Sequence, residues 1–455
     1  MFASDGGPVR GWESLTLLGT APFSAPKRCL SARFFPVFIL LAPNLVREAL
    51  QTRQWSVLRP LLRAALAGSA FQQGRLAPLA SKLDSLEAFL KRVPLTTKEL
   101  LVRDQSQHPP YGSNQTEPSA LYSRFCQTSG TTAQPLAVWD TQESWEWLLG
   151  NWQRGYALAG VEPGMLAFFA FSFGPFLGFW TAFEAGLRIG LRCIPGGGLG
   201  TVARLEAILK HRVEVLCCTP TYALHLATVA RKHGISLAHS QVRKILVAGE
   251  PGGSLSTVRQ QLSEAWPVAE VIDHYGMTEV GPVAFAATGE PGVLRVLEDR
   301  YLAEVLDVSG QPVAQGATGE LVLTPLGRSC WPLFRYRTGD LVRPHWTEAG
   351  LVLEGGILGR LDDMVIVRGV NVYPVALENV VRSVPEVEEY RVNVSGGAGL
   401  TELLVEVECS DARGVGPRLE AAFERAFALR IPVREVAQGS LPRFELKAHR
   451  WVRSA

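Results

Sequence analysis

Residues 125–140 read FCQTSGTTAQPLAVWD, and Thr128, Ser129, Gly130, Thr131 and Thr132 stand together between two apolar flanks. A surface turn needs only one or two such residues. A loop of this composition, folded back on itself, turns hydroxyls and backbone N–H groups toward one point, a geometry suited to the oxygens of a phosphate. The alternative is a polar turn between two strands. Four further stretches carry side chains able to meet anions or hold a hard cation: HYGMTEVGP (274–282), RYRTGDLV (335–342), GRLDDMVIVRGVNVYP (359–374) and LPRFELKAHR (441–450). Taken singly, Glu279 reads as a solvated charge and Lys447 as a surface lysine close to a chain end. No Gly-Lys dipeptide occurs, which excludes a Walker loop, and PGGGLG (195–200) lacks the full dinucleotide fingerprint and reads as a βα turn.

The elements that must position these residues follow from hydrophobic period. Residues 55–92 alternate Leu/Ala with Arg/Lys at helical spacing, and VPLTTKELLVRD offers a new helix with Thr96 or Thr97 as N-cap and Glu99 in its first turn. Beyond Trp139 the signals alternate: helix at 143–160, strand at 165–173, helix at 203–212, strand at 213–220, helix at 222–234 and strand at 242–251. Continuous apolar strands in βαβ order predict a parallel sheet covered on both faces. After Glu290 short strands and turns predict a β-rich subdomain, and a fresh α+β pattern runs from Arg360 to the end. The expected fold class is therefore α/β: a large N-terminal domain with βαβ-type sheets and a β-rich subdomain, then a small, mobile α+β C-terminal domain.

In this order and spacing the five motifs resemble those of the adenylate-forming acyl-CoA synthetase superfamily, and RYRTGDL, GRLDDM and RGVNVYP are similar to its phenylacetate–CoA ligase branch. The likeness covers about residues 94 to 455. It implies an ATP-dependent ligase that joins an aromatic, phenylacetate-like acid to AMP and then passes the acyl group to coenzyme A. Loading of a carrier-protein thiol, or an inactive nucleotide-binding homologue, are the alternatives. The implied domains are 1–93, a helical region; 94–361, the AMP-binding core with its β-rich subdomain; and 362–455, the small C-terminal domain.

The resemblance also implies roles. Thr128, Ser129, Gly130, Thr131 and Thr132 would wrap the β- and γ-phosphates, although Ala133 stands where the family commonly has Gly. Gly249, Glu250 and Pro251, at a strand's carboxyl end, would line the ATP site with His274, Tyr275 and Gly276, Tyr275 stacking on adenine. Thr278 would touch phosphate, and Glu279 would hold Mg²⁺ as a hard oxygen donor. Asp340 would accept both ribose hydroxyls, Arg360 would contact ribose or phosphate, and Asp362 would be the hinge of the small domain. Gly369 would border the CoA tunnel, with Asn371 beside it. Lys447, preceded by Leu446 rather than the commoner Gly, would bridge substrate carboxylate and ribose oxygen during adenylation. Among the aromatics of FFAFSFGPFLGFW (168–180), Phe171, Phe173, Phe176, Phe179 and Trp180 are candidates for a flat acyl slot, with Phe173, Phe176, Tyr222 and His274 forming the expected pocket.

Composition bounds the partners. With 45 basic and 43 acidic residues the net charge is +2, too balanced for a nucleic-acid or membrane partner by field alone. Seven scattered cysteines without a CxxC pair point to buried, reduced thiols and a cytoplasmic chain, with no structural zinc expected. The apolar run at 34–43 is half the length of a membrane span and is broken by Pro36, so it reads as an amphipathic or irregular region, or as the mark of a start placed too early. The expected ligands are ATP, Mg²⁺, coenzyme A and a small carboxylic acid; a homodimer is compatible with the sequence.

Overall fold

The computed structural model describes residues 43–128, 135–396, 401–411, 413–444 and 447–453. The amphipathic N-terminal stretch becomes α1 (Pro43–Gly68), α2 (Ala70–Leu76) and α3 (Leu86–Arg92), and α4 (Lys98–Gln107) follows. Thr97 caps α4, its Oγ1 accepting from Leu100 N–H at 3.4 Å, and Glu99 sits in the first turn, where a carboxylate suits the helix dipole. Leu58, Leu62 and Phe89 of these helices share one core with Leu302, Leu326 and Phe334. The apolar run at 34–42 lies outside the described residues. Among the described residues no helix is long and apolar enough to cross a membrane.

A short ribbon, β1 (Tyr122–Gln127) and β2 (Ala137–Thr141), precedes the main sheet. That sheet contains β3 (Leu166–Phe169), β4 (Arg192–Pro195), β5 (Val215–Cys218), β6 (Lys244–Val247), β7 (Glu270–Met277), β8 (Gly281–Phe285) and β9 (Val293–Val296). The five strands from β3 to β7 are parallel, in the order β7-β6-β5-β3-β4. Helices α5 (Gln142–Leu158), α6 (Leu177–Arg188), α7 (Thr201–Lys210), α8 (Pro220–Lys232) and α9 (Ser256–Ala265) accompany them. Side chains alternate across a strand, and the sheet divides two cores on that rule. Ala167, Phe169, Val215, Cys217 and Leu246 face the core of α5 and α6, whereas Phe168, Leu216, Ile245 and Val247 face that of α7, α8 and α9. Burial of each large side chain here contributes about 1.5–3 kcal/mol.

The strand expected at 165–173 stops at Phe169. Ala170 N–H still reaches Cys217 O at 2.9 Å, but Phe173 then takes a left-handed φ of 51°. Gly174 and Pro175 follow, and a ladder cannot continue through such backbone. The β-rich part is a four-stranded antiparallel sheet of β10 (Tyr301–Leu306), β11 (Gly319–Pro325), β12 (Tyr336–Val342) and, beyond β13 (Pro344–Thr347) and β14 (Gly350–Glu354), β15 (Gly359–Arg360). Strands β13 and β14 extend the edge of the main sheet beside β9.

The remaining α+β unit opens with a hairpin, β16 (Val365–Val367) and β17 (Val370–Val372), then α10 (Pro374–Arg382), β18 (Val387–Ser395), β19 (Glu402–Cys409), α11 (Val415–Phe427), β20 (Val433–Glu435) and β21 (Trp451–Arg453). Leu377, Val392, Val405, Leu419 and Phe423 form its own core. The six described cysteines are all free, four of them buried.

Candidate functional site

The site gathers at the carboxyl ends of β6 and β7, beside the β-rich sheet. Strand β7 runs on into HYGM, so His274, Tyr275 and Gly276 belong to the strand rather than to a loop after it. A bulge lies between Tyr275 and Gly276. A Cβ on Gly276 would sit 2.7 Å from Gly281 O, closer than side chains are found, so the bulge requires glycine there. Thr278 and Glu279 form the turn to β8. The Thr278 hydroxyl lies 3.5 Å from Gln127 O, which brings this turn to the foot of the hydroxyl loop.

Thr128 serves that loop's neck. Its N–H donates to Leu136 O and its Oγ1 accepts from Leu136 N–H, both at 3.0 Å. The Thr128 oxygen thus helps to close the loop as an acceptor, which leaves its O–H as the donor a phosphate oxygen would need. Ser129, Gly130, Thr131, Thr132 and Ala133 lie outside the described residues.

Tyr275, Asp340, Arg360 and Lys447, far apart in sequence, converge. The Tyr275 hydroxyl donates to Asp340 Oδ2 at 2.6 Å and Arg360 Nη1 to Asp340 Oδ1 at 3.2 Å. Register makes this possible, because Asp340 of β12 is the direct cross-strand partner of Arg360 of β15. Burial pushes the Asp340 carboxyl up to about 6 even though Arg360 and Tyr275 pull it down. Desolvation by the surrounding protein is the main cause lowering the Lys447 ammonium, with Arg360 adding to it and Asp340, Glu250 and Glu279 opposing. The Lys447 residue stays exposed, and what sets it apart is that the Asp340, Glu250 and Glu279 carboxylates and the Arg360 guanidinium all act on its charge.

Glu279 is buried, with Lys98 Nζ 3.3 Å from its Oε1. Burial, and next the Glu279 carboxylate, raise the pKa of the Tyr336 hydroxyl. Among the described residues no group of three or more His, Cys, Asp or Glu could hold a metal ion alone. A Mg²⁺ shared with a triphosphate needs only one or two protein carboxylates, and the single hard donor at Glu279 fits that case.

Gly249 adopts φ +94°, and a Cβ there would lie 3.9 Å from Lys447 Cε. Glu250 beside it has both oxygens engaged: Oε1 accepts from Thr221 N–H and Oε2 from Ala448 N–H, each at 2.9 Å. Pro251 is half-buried in the same turn. Glu250 thus ties the end of the parallel sheet to the residue after Lys447. Other contacts cross the same seam. Glu388 meets Arg231 and Lys232 at 3.1 Å each, Thr257 Oγ1 meets Asn379 at 2.9 Å, and Gln261 Nε2 donates to Arg382 O at 2.8 Å.

Asp362 follows the last ladder of the β-rich sheet, and its exposed carboxylate takes a bidentate pair from Arg360, Nε at 2.9 Å and Nη2 at 3.1 Å. Arg360 therefore spans the carboxylates of Asp340 and Asp362. Gly369 forms the tip of the β16–β17 hairpin with Arg368, both at positive φ, and Asn371 sits exposed in β17. That hairpin is not part of the cluster around Lys447.

The His274 ring stacks on Phe285 at 4.2 Å and packs against Trp152 at 4.4 Å; burial lowers its pKa to about 4, so it is neutral. Its Nδ1–H donates to Ala284 O at 3.1 Å. Phe171 stacks on Phe179 at 4.3 Å, and half-buried Phe173 and Phe176 join that aromatic group, with Trp180 at its rim. Tyr222 is different. It is fully buried in the core on the other face of the sheet, with Thr201 Oγ1 3.2 Å from its hydroxyl, and does not line a pocket with His274. Helix periodicity within α8 turned it inward, and no sequence motif distinguishes that from a pocket position.

Sequence reasoning missed Lys98, Tyr336 and Arg328. Arg328 is wholly buried and donates from Nη1 to the carbonyls of Thr278 at 2.7 Å and Glu279 at 3.0 Å. Its signal was present, an arginine set in the mainly apolar stretch LVLTPLGRSCWPLF, because charge in such a run is buried only when paired.

A polar cluster at the carboxyl ends of parallel strands, bordered by a β-rich sheet and met by a lysine from a small C-terminal unit, is the arrangement of an adenylate-forming enzyme. Residues 72–325 match the AMP-binding enzyme family, and residues 369–453 the AMP-binding enzyme C-terminal domain. The chain belongs to the AMP-binding enzyme family, in its phenylacetate–CoA ligase branch. It is 34% identical over 336 residues to a phenylacetate–coenzyme A ligase of Thermus thermophilus, spanning 71% of this chain and 72% of that one. A Pseudomonas putida phenylacetate–coenzyme A ligase is 29% identical, over 79% and 82%. Among solved structures, a 2-hydroxyisobutyryl-CoA ligase in its postadenylation state superposes with a TM-score of 0.83 at 25% identity, covering 90% of this chain and 89% of that one. The same ligase in its thioesterification state, with 2-HIB-AMP and CoA bound, gives 0.67 at 26% identity, covering 91% and 90%.

Proposed function

We propose that this chain activates a bulky, aromatic, phenylacetate-like carboxylic acid as its acyl-AMP and transfers the acyl group to coenzyme A. The observation that carries the reading is the convergence of Lys447 with Tyr275, Asp340 and Arg360 beside Glu279. Adenylation brings together two anions, the acid and ATP, so positioning and charge compensation are the main demands on the protein.

Each residue has a part suited to its chemistry. Asp340, an acceptor with two oxygens, receives the ribose hydroxyls in place of the Tyr275 hydroxyl and Arg360. Lys447, a flexible point charge, reaches both the substrate carboxylate and the nucleotide. Glu279 holds the Mg²⁺ of Mg·ATP; when bound, that ion neutralises developing phosphate charge. The oxygen of the acid attacks the α-phosphorus, the bond to the β-phosphate oxygen breaks, and pyrophosphate leaves. The CoA thiolate then attacks the acyl carbon and expels AMP.

The better superposition on a postadenylation structure, together with Lys447 standing near Gly249 and among the charges of Asp340, Arg360 and Glu279, supports an adenylation-side pose of the small unit. Rotation about Asp362 would bring the Gly369 hairpin to the site for the second step. The aromatic group of Phe171, Phe173, Phe176 and Phe179 supports a flat acyl chain.

The test is pyrophosphate release and AMP formation with a panel of arylacetic, aryl and short aliphatic acids, each with CoA and with a phosphopantetheinylated carrier protein. Arylacetic acids with free CoA should give the highest kcat/KM. Turnover restricted to aliphatic acids, or to the carrier, would overturn the corresponding half of the proposal.

A further inference from the structure

The pairing of Arg328 with Asp140 lies behind the site rather than in it. Arg328 follows β11 and Asp140 is in β2, and neither side chain has any exposed surface. Every nitrogen of the guanidinium is engaged: Nε donates to Asp140 Oδ1 at 2.6 Å, Nη2 to Oδ2 at 2.5 Å, and Nη1 to the consecutive carbonyls of Thr278 and Glu279. Burial opposes the charge on Arg328, but the Asp140 carboxylate outweighs it, so the guanidinium stays charged.

A buried ion pair is a poor way to gain stability, since apolar residues of similar volume commonly do as well or better. What apolar residues cannot do is hold two successive carbonyls on one donor. Those carbonyls belong to the two peptide units on either side of the Glu279 Cα, so fixing both fixes how the Glu279 side chain leaves the backbone. The pair is neutral overall, so its effect at the phosphates is geometric rather than Coulombic.

We propose that Arg328, anchored by Asp140, is a positioning residue that sets the aim of the Glu279 carboxylate and the Thr278 hydroxyl toward Mg·ATP. The inference rests on the reading of Glu279 given above. It makes a distinction that a purely structural role does not: lysine keeps the charge and loses the fork, so Arg328→Lys should fail to restore function although it preserves the ion pair.

The experiment measures KM for Mg·ATP, KM for the acid and thermal midpoint in Glu279→Gln, Arg328→Lys and the apolar double variant Asp140→Leu/Arg328→Met. Glu279→Gln should raise KM for Mg·ATP. Arg328→Lys and the double variant should reproduce that change, by roughly tenfold or more as for other supports of metal-site ligands, with KM for the acid within about twofold. Folded Arg328 variants with an unchanged KM for Mg·ATP, beside an impaired Glu279→Gln, overturn the inference and leave the site reading intact. An unimpaired Glu279→Gln removes the site reading and the inference with it. Loss of the fold in both Arg328 variants overturns it too, because the pair would then serve the core and not the turn.

Discussion

Glu279 and Lys447 bring opposite charges to one place, and the protein holds them in opposite ways. The turn carrying Glu279 is backed by a buried ion pair, two carbonyl contacts and the core of the main sheet. The segment carrying Lys447 is tied to that sheet through single contacts across a seam, chiefly the Glu250 carboxylate on Ala448 N–H and Arg450 Nη1 on Thr221 Oγ1 at 3.3 Å. A group needed in both half-reactions can be built in. A group needed in one must be held by contacts weak enough to break together, and isolated hydrogen bonds of about 1 kcal/mol each suit that.

The largest expected effect comes from deleting the group on the side proposed to move. Lys447→Ala should cut acid-dependent pyrophosphate exchange by roughly two orders of magnitude or more, while thioester formation from supplied acyl-adenylate stays within about threefold. Equal loss of both half-reactions would place Lys447 with the fixed set.

Next is the joint between the regions. Asp362→Pro fixes φ near −65° and should lock one pose. Pyrophosphate exchange should persist and thioester formation fall by more than roughly tenfold, about 1.4 kcal/mol of barrier. Wild-type rates in both steps would refute rotation at this residue.

A smaller change should follow at the seam. Glu250→Gln keeps one acceptor and sets an amide against the other N–H, so the adenylation pose loses a charge-assisted contact. Exchange should fall roughly threefold to tenfold, with the thioester step unchanged or faster; a parallel fall in both would make Glu250 a ligand contact instead.

The smallest effect is on stability. The carboxyl of Asp340 stands near 6 in the folded protein, above its ordinary 3.8, because burial disfavours the ion. The favourable contribution of the protonated form is thus complete below the unfolded value and is lost as pH rises through about 6. Asp340→Asn should therefore raise the melting temperature of the nucleotide-free protein at pH 7.5 more than at pH 5, while weakening ATP binding. The opposite ordering of the two pH values would show that burial does not govern this carboxyl.

Much of this was legible because the signals are local. The apolar runs of β3, β5 and β6 and the Thr97 cap of α4 carry their own period and turn chemistry, and the five motifs lie within strands or directly beside them. The convergence of Asp340 and Arg360 needed only an antiparallel return. Other features depend on pairings across the chain. Arg328 finds Asp140 188 residues away, Glu250 finds Ala448 198 residues away, and Tyr222 turned inward because of α8's packing. Thr128 also closes the loop neck against Leu136, a pairing its hydroxyl chemistry did not announce.

The two-residue alternation along β3 has a consequence for how such a protein can diverge. Ala167 and Phe169 belong to the half that reaches the aromatic group and His274, whereas Leu166 and Phe168 belong to the other. Each half is a separate compartment with its own helices, so a lineage can remodel the side proposed to take the acid by drifting at odd positions of this strand while the even ones keep the scaffold. Insertion or loss of one residue would exchange the linings of both compartments at once. By this geometry the strand tolerates substitution better than a change of length, and one compartment can change its lining without rebuilding the sheet it shares with the other.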